Sequence, residues 1–299
     1  MKNKDSGNYF KTFYSRRILR IFPLYYIILL IYIILYFSIP NITKILPALF
    51  DNSVPVWSFA AYFQNYMMII KQSFGAGWLS ITWSLAVEEQ FYLILPMLIY
   101  FLNRKYLTII IILLIITATV LRYSSNNWFQ NHLAFQCRMD SLFTGVLIAI
   151  IFMNESVTIL LRSKKLLVHI LFVILLAVFI LYSFGLISVP YYLTYSLFNI
   201  LFGLFIILSL LFKDSLIAKI LRIKMLRKLG VISYGIYLFH VITINLIYWY
   251  LEKIGVNTYD NLLVVFVAIF SFIFTILLAL ISFYHFENKL IKYSHRYNY

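Results

Sequence analysis

The chain has 299 residues, of which 63% are hydrophobic and only 12% are charged, and its mean hydropathy is +0.91. A soluble domain carries about 25% charged residues, so this composition excludes a soluble globular protein. The net charge of +15 does not indicate a nucleic-acid partner, because Lys and Arg collect in the cytoplasmic loops of membrane proteins. The single cysteine, Cys137, excludes an internal disulfide and a cysteine-based metal site, and we expect no metal.

Residues 1–20 form a polar, basic segment that lacks the pattern of a cleavable signal peptide, and we predict that it lies in the cytoplasm. Nine apolar segments follow, at about 21–39, 57–70, 80–101, 106–121, 139–152, 166–184, 189–212, 229–250 and 260–283. Nine crossings would place the two basic ends of the chain on opposite sides of the membrane. The segment 57–70 is short and has Gln64 and Asn65 at its middle, which is typical of a buried or re-entrant segment.

The sequence therefore predicts an all-α, polytopic transmembrane helix bundle. It has about eight spanning helices plus one short re-entrant or interfacial segment, and both termini are cytoplasmic. With this topology most of the 25 Lys and Arg lie on the cytoplasmic side, in agreement with the positive-inside rule. We expect residues 1–299 to form one integral-membrane domain whose partner is the lipid bilayer. The sequence leaves the oligomeric state open, and a homo-oligomer is compatible with it.

Two adjacent carboxylates, Glu88 and Glu89, lie inside the apolar run 81–102. An ionisable group at membrane depth costs about 2.5–3.5 kcal/mol, so a partner, a water-filled cavity or a substrate has to offset it. At helical spacing Ser84 and Glu88 share one face, whereas Glu89 lies about a quarter-turn away. We interpret Glu88 as a carboxylate that lines an intramembrane site. The alternatives are a buried structural ion pair and a Glu that its surroundings keep protonated.

A second polar stretch lies at the inner end of the first apolar segment, where Arg16 and Arg20 are one helical turn apart and Arg17 lies between them. Paired guanidinium groups bind phosphate oxygens bidentately, as on a nucleotide-bearing cofactor. The alternative is anchoring of the helix by basic residues at the cytoplasmic face.

Arg138 and Asp140 lie where a predicted outer loop enters a helix. We consider two interpretations of this position equally. One is an interfacial ion pair between the two side chains, and the other is a site for an acceptor that arrives from outside.

Ser233, Tyr237 and His240 recur at i, i+4 and i+7 and therefore form one stripe of a helix. A lone His on an apolar face is usually a satisfied core residue, but at mid-membrane depth a functional role becomes the default. A neutral imidazole can remove a proton from a hydroxyl group. By helical rise, Glu88 lies about 12 Å and His240 about 16 Å from their opposite entry faces, which is compatible with one shared buried site.

These stretches, taken together, resemble the bacterial membrane acyltransferase family 3, the O-antigen and polysaccharide O-acetylase group. The likeness is carried, in order, by Phe13–Pro23, Trp83–Tyr92, Arg138–Gly145 and Ser233–His240, with a weaker fifth block at Tyr284–Lys289. The block with Trp83 and Glu88 is the most specific. The resemblance covers nearly the whole chain.

The resemblance implies a multi-pass enzyme of the bacterial inner (plasma) membrane that moves an acyl group, usually acetyl, from acetyl-CoA. The acceptor would be a hydroxyl of a cell-surface carbohydrate such as O-antigen, capsule or exopolysaccharide. No cofactor would be bound permanently, because acyl-CoA is a substrate. Our own hypothesis assigns catalysis to Glu88 and His240, donor binding to Arg16, Arg17 and Arg20, and substrate binding to Trp83, Ser84, Arg138, Asp140, Ser233 and Tyr237.

One departure from the family pattern concerns its first two helices. In the family, the first carries an arginine and a histidine regarded as catalytic, and the second carries a Phe-rich block with Ser and Gly. This sequence begins in the loop after them, so we expect an N-terminally incomplete domain. His240 does not correspond to the histidine of the family's first helix, because it belongs to a different family position. Two other functions compete with acyl transfer: a transporter or flippase for a lipid-linked glycan, and a non-catalytic truncated remnant.

Overall fold

The computed structural model describes residues 4–256 and 261–298. Within these residues, eight helical stretches are long and apolar enough to cross a membrane: Tyr9–Ser38, Gly77–Phe101, Arg104–Ser124, Trp128–Phe152, Lys165–Ser183, Tyr191–Leu211, Ser233–Lys253 and Leu263–Ser294. The same residues contain no β-strand. The predicted all-helical bundle of about eight spans is therefore confirmed. Lys2, one of the predicted cytoplasmic charges, and position 260, the start of the last predicted segment, lie outside the described residues.

The helices are, in chain order, α1 (Tyr9–Ser38), α2 (Ile42–Ile45), α3 (Val56–Ala60), α4 (Gln64–Lys71), α5 (Gly77–Ser80), α6 (Trp83–Phe101), α7 (Arg104–Ser124), α8 (Trp128–Leu133), α9 (Phe135–Phe152), α10 (Glu155–Ser163), α11 (Lys165–Ser183), α12 (Tyr191–Leu211), α13 (Leu216–Leu221), α14 (Lys224–Val231), α15 (Ser233–Lys253), α16 (Asn261–Ser282) and α17 (Asn288–Ser294). A π-helical turn, Phe283–Glu287, joins α16 to α17. Asparagine N-caps begin several of them. The side chain of Asn103 accepts from Tyr106 N at 3.1 Å before α7, and that of Asn127 accepts from Gln130 N at 3.2 Å before α8.

The segment 57–70, predicted not to cross the membrane, consists of most of α3 and α4, which are separated by a turn at Tyr62 with φ of 52°. Gln64 and Asn65 at its middle are fully buried. The Gln64 amide donates to Thr82 O at 2.9 Å, and Tyr25 on α1 donates from its hydroxyl to Phe59 O at 2.8 Å. These bonds satisfy backbone carbonyls that neither lipid nor a regular helix would satisfy.

The chain divides into two compact units, and the division falls within α6. The first unit comprises residues 1–89 and 228–299. In it α15 packs along α16, α5 packs on α15, and α1 packs on α17. Gly235 permits the close approach of α15 to α16, because a Cβ at this position would lie 3.1 Å from the Ala279 Cβ.

The second unit comprises residues 90–227, and its helices α7 and α9 make the most extensive contact. Helix α12 packs on both α9 and α11. A buried apolar cluster holds these helices together and consists of Ile148, Val168, Ile207, Leu208, Leu211 and Phe212.

The tightest backbone approach in the first unit is at Gly77, the first residue of α5. A Cβ built there would lie 2.0 Å from the carbonyl oxygen of Ala48, so only glycine fits without a backbone shift. The neighbouring Trp78 N donates to Leu49 O at 3.3 Å, which holds the two segments in this register.

We predict that Gly77→Ala lowers the free energy of unfolding by about 1–3 kcal/mol, because the added methyl overpacks against backbone rather than against a movable side chain. Thermal unfolding of the purified protein in detergent measures this. Gly230→Ala is the matched control, because that glycine is exposed in α14 and no atom lies within 4 Å of its added Cβ. Equal melting temperatures for the Gly77 and Gly230 variants would contradict the close approach.

Candidate active site

The block around Glu88 and the block around His240 meet in the first unit through a side-chain contact between α6 and α15. The hydroxyls of Ser84 and Tyr237 are 2.9 Å apart, and Tyr237 also donates to Ile81 O at 2.8 Å. Both residues were predicted to bind substrate. The structure therefore brings these two sequence blocks together, although they are more than 140 residues apart in the chain.

Glu88 and Glu89 are both half-buried in the second turn of α6. The guanidinium groups of Arg17 and Arg20 lie within electrostatic range of Glu88, and Arg17 also acts on Glu89. Glu88 in turn acts electrostatically on Tyr237. These interactions place the arginine block of α1 and the carboxylates of α6 in one electrostatic neighbourhood.

Glu89 belongs to this neighbourhood as well, although the sequence singled out only Glu88. Its Oε1 is buried without a hydrogen-bond partner among the described residues. Three phenols, those of Tyr26, Tyr62 and Tyr234, lie within its electrostatic range. Burial raises the pKa of the Tyr62 phenol, so this hydroxyl is neutral. In the sequence, the adjacency of Glu89 to Glu88 could have identified it as part of the site. Helical periodicity alone placed it on a different face of the helix from Glu88.

His240 lies three residues after Tyr237 and is half-buried. Its Nδ1 is 2.7 Å from Tyr237 O. A carbonyl oxygen only accepts hydrogen bonds, so Nδ1 carries a proton, and the lone pair of this tautomer is on Nε2. The His240 side chain lines a cavity of about 430 Å³ together with Ser233, Tyr237, Ser271 and Thr275.

Tyr237 lies near both predicted catalytic groups. It is linked electrostatically to Glu88 and through its carbonyl to His240. Trp83, the first residue of α6, is half-buried, and Ser233, the first residue of α15, is exposed and donates to Gly230 O at 3.0 Å. The catalytic and substrate-binding roles of these residues stay predictions.

The three arginines predicted to bind the donor line one cavity of about 280 Å³ at the start of α1. Residues from the end of the chain, Ser294 and His295, line the same cavity. Arg16 donates from Nε to Tyr297 O at 2.8 Å and from Nη2 to Asn298 Oδ1 at 3.3 Å. Arg20 is exposed. The residues that line this cavity include no carboxylate, so its charge suits an anionic ligand.

Asp140 has a different partner from the one that the sequence suggests. The structure pairs its Oδ2 with Nη2 of Arg122 at 2.7 Å, and both side chains have 0% exposure. Its Oδ1 accepts from Ser141 N at 3.0 Å. The interfacial pair with Arg138, one of the two interpretations, is therefore replaced by a buried pair with Arg122, and the role of Asp140 in substrate binding stays a prediction.

Arg122 is a residue that the sequence did not identify, because it lies just beyond the predicted apolar segment 106–121. It lies instead near the end of α7, where it also donates to Ser196 Oγ at 2.8 Å, to Tyr192 O at 3.2 Å and to Cys137 O. The signal that could have found it is the spacing of Arg122 at the end of one apolar helix and Asp140 near the start of the next. A buried charge is retained only with such partners.

Arg138 differs from Asp140 because it is half-buried and borders open space. Its guanidinium carbon lies 4.1 Å from the centroid of the Tyr195 ring. With Ser141, Asn199 and Tyr195 it lines a cavity of about 400 Å³. Arg138 therefore keeps its predicted role in substrate binding as an open hypothesis.

Glu287 in the fifth sequence block is another buried carboxylate, with 5% exposure. It lies in the π-helical turn and accepts from Ser282 Oγ at 2.7 Å. Its Oε1 would lie 3.5 Å from a Cβ at Gly235, so it lies against the start of α15. π-Helical turns occur often at functional sites.

Within the described part of the chain, no group of three or more His, Cys, Asp or Glu is arranged to hold a metal ion.

We predict that Arg122→Met destabilises the protein by about 3–5 kcal/mol, because it leaves the Asp140 carboxylate buried and uncompensated. The double variant Arg122→Met with Asp140→Leu should recover most of the loss, since no charge then stays buried. Melting temperatures in detergent report both effects. Lys105→Met, which removes an exposed charge from the same helix, is the control. A double variant no more stable than Arg122→Met would contradict the pairing.

Comparisons with known proteins agree with the sequence blocks described above. The profile of an acyltransferase domain matches residues 6–284. Peptidoglycan O-acetyltransferase OatA of Listeria monocytogenes is 29% identical over 258 residues, which are 81% of this chain but only 41% of that protein. No solved structure matches the chain significantly. Because the family match covers most of the sequence, this multi-pass membrane protein belongs to acyltransferase family 3.

Proposed function

We propose that this chain is an O-acyltransferase that moves an acetyl group from acetyl-CoA to a hydroxyl of a cell-surface glycan. The donor, the acceptor and the location in a bacterial plasma membrane are all part of this proposal. Support for acetyl and for a cell-wall glycan comes from the relative, which is named a peptidoglycan O-acetyltransferase. The O-antigen, capsule and exopolysaccharide acceptors that the resemblance implies stay predictions.

The observation that carries the proposal is the coupling between the arginines of α1 and the carboxylates of α6. Arg17 and Arg20 line the arginine cavity at the start of α1 and also lie within electrostatic range of Glu88. A donor whose phosphates bind in that cavity would therefore hold its acyl group in the same unit as Glu88, Tyr237 and His240. Binding of one reactant close to the catalytic groups supplies much of the rate enhancement in group-transfer enzymes.

The chemistry needs a base, since a sugar hydroxyl is too weak an acid to attack a thioester unaided at neutral pH. The base takes the hydroxyl proton as the oxygen attacks the acyl carbon. The carbon–sulfur bond then breaks, the new ester forms, and the coenzyme leaves as a thiol after taking up a proton. Nε2 of His240 has the lone pair for this step, and Glu88 would orient the acceptor or stabilise the positive charge that develops on the base.

We expect Glu88→Gln to lower the rate of acetyl transfer by about 10²-fold or more, because Gln cannot supply the negative charge. The assay is thiol release from acetyl-CoA by the purified chain in nanodiscs with a glycan acceptor. Glu252→Gln, at an exposed position late in α15, should keep the parental rate. An unchanged rate in Glu88→Gln would remove Glu88 from the mechanism.

The same assay separates the competing functions. A parental chain that moves lipid-linked glycan across a vesicle membrane without consuming acetyl-CoA is a transporter. A parental chain that does neither is a non-catalytic remnant. Either result would overturn the proposed transferase.

We expect Arg20→Gln to raise KM for acetyl-CoA by about 10-fold or more, because one charge-assisted hydrogen bond to phosphate is worth about 1.5–3 kcal/mol. The KM for S-acetylpantetheine, which lacks the nucleotide phosphates, should stay constant. Lys11→Gln, at an exposed position on the same helix, is the control. Arginines that only anchor the helix in the membrane would leave both KM values unchanged, and this result would contradict the donor site.

A further inference from the structure

A cavity in the second unit has no role in the mechanism above. It has a volume of about 480 Å³ and lies among the end of α11, the start of α12, helix α8 and the loop before α8. Cavities of about 300–1,000 Å³ are typical of small-molecule sites. We propose that this cavity, here called the α8–α12 cavity, binds a sugar residue of a neutral glycan. The identification of that glycan as the acceptor rests on the proposed function.

The first argument is an indole that is fixed in place yet accessible. The Trp128 ring stacks on the His132 ring, with centroids 4.8 Å apart and an interplanar angle of 12°. Even so, 57% of Trp128 is exposed. A pyranose ring presents C–H groups on one face, and these pack well against an aromatic face of negative potential. Tyr191 and Tyr182, at the facing helix ends, add further aromatic wall.

The second argument is a buried amide that lacks one partner. Asn131 lines the cavity and is only 4% exposed. Its Nδ2 donates to Ser125 O at 2.9 Å, whereas its Oδ1 has no hydrogen-bond partner among the described residues. An unsatisfied buried acceptor costs about 1–3 kcal/mol. A ligand hydroxyl that reaches Oδ1 would satisfy it, and each sugar residue carries several such donors.

The third argument concerns charge. The residues that line the α8–α12 cavity carry no ionised side chain; beside the aromatic residues and Asn131, they include Asn126 and Thr194. Amide and hydroxyl groups around aromatic walls suit a neutral ligand with many hydroxyls, whereas an anion would find no counter-charge among these lining residues. This contrasts with the arginine cavity at the start of α1, which is lined by three cations.

The walls of the α8–α12 cavity are held in place before any ligand binds. The Tyr195 hydroxyl lies 2.8 Å from His132 Nδ1, and Tyr191 donates to Ser125 O at 2.7 Å. Arg122, which pairs with Asp140, has its guanidinium carbon 5.4 Å from the centroid of the Tyr195 ring. A site that is ordered in advance loses less entropy on binding. Tyr195 also borders the neighbouring cavity of Arg138, so a glycan longer than one residue could extend toward Arg138.

The position of the α8–α12 cavity in the chain fits a substrate from outside. Helices α7 and α11 end, and α8 and α12 begin, beside it. In the topology predicted from the positive charges, this is the outer side of the membrane. Trp and Tyr at helix ends also serve as interfacial anchors in lipid headgroups, so lipid is the competing occupant.

The test is a binding measurement on the full chain in nanodiscs, without acetyl-CoA, and the probe is the N-acetylglucosamine tetramer. We expect the parent to bind it, Trp128→Ala to raise Kd at least 10-fold, and Trp128→Phe to recover part of the affinity. Asn131→Leu should also weaken binding. Trp57→Ala is the matched control, because Trp57 has the same 57% exposure and also stacks on a neighbouring ring, that of Phe63. Parental melting temperatures establish that each variant is folded.

Three results would overturn the proposal: no binding of the tetramer by the parent, equal Kd values for parent and Trp128→Ala, or Kd values that differ between the two only in nanodiscs of phosphatidylglycerol. The measurement is independent of the transferase reaction. If the parent consumes acetyl-CoA but Trp128→Ala keeps the parental glycan affinity, this site is wrong and the proposed function stands. If the parent binds the tetramer through Trp128 but transfers no acetyl group, the site stands and the proposed function is wrong.

Discussion

The constraint on which the structure depends is the free energy of keeping ionisable side chains inside membrane-spanning helices. The two units meet this constraint differently. In the second unit, Arg122 and Asp140 form a fully buried pair, and the remaining donors of Arg122 reach neighbouring oxygens. In the first unit, Glu88 and Glu89 stay half-buried in range of Arg17. A saturated buried pair is costly to break because one charge is left without a partner, whereas carboxylates that are only partly compensated are available for chemistry.

This difference separates residues that looked alike in the sequence. Asp140 and Glu88 are both acidic residues in apolar helices, yet Asp140 is fully engaged and Glu88 is half-buried beside Tyr237. The proposed mechanism therefore rests on the first unit. In the second unit, the α8–α12 cavity and the Arg138 cavity lie next to each other and share Tyr195. Donor chemistry and acceptor recognition would then be carried by different parts of one chain.

Hydrogen bonds from buried tyrosines hold part of the chain between the first two spans. Tyr25 and Tyr32 on α1 donate to backbone carbonyls of the segment between α1 and α6. Such carbonyls need partners wherever water is scarce. The hydroxyls do this without adding charge, which suits a protein with 25 Tyr and few acidic residues.

The amino-acid sequence by itself determined the fold class, the eight spans and the exclusion of 57–70, since length and hydropathy of a helix suffice to decide whether it can cross lipid. It also determined the family, through the blocks around Arg16, Glu88 and His240. Only the tertiary structure decided which side chains of different helices pair with one another. The contact of Ser84 with Tyr237 and the pairing of Asp140 with Arg122 join different helices, and helical periodicity gives the face of one helix but not which helix packs against it. The α8–α12 cavity was beyond the sequence for the same reason, because several chain segments must come together to form it.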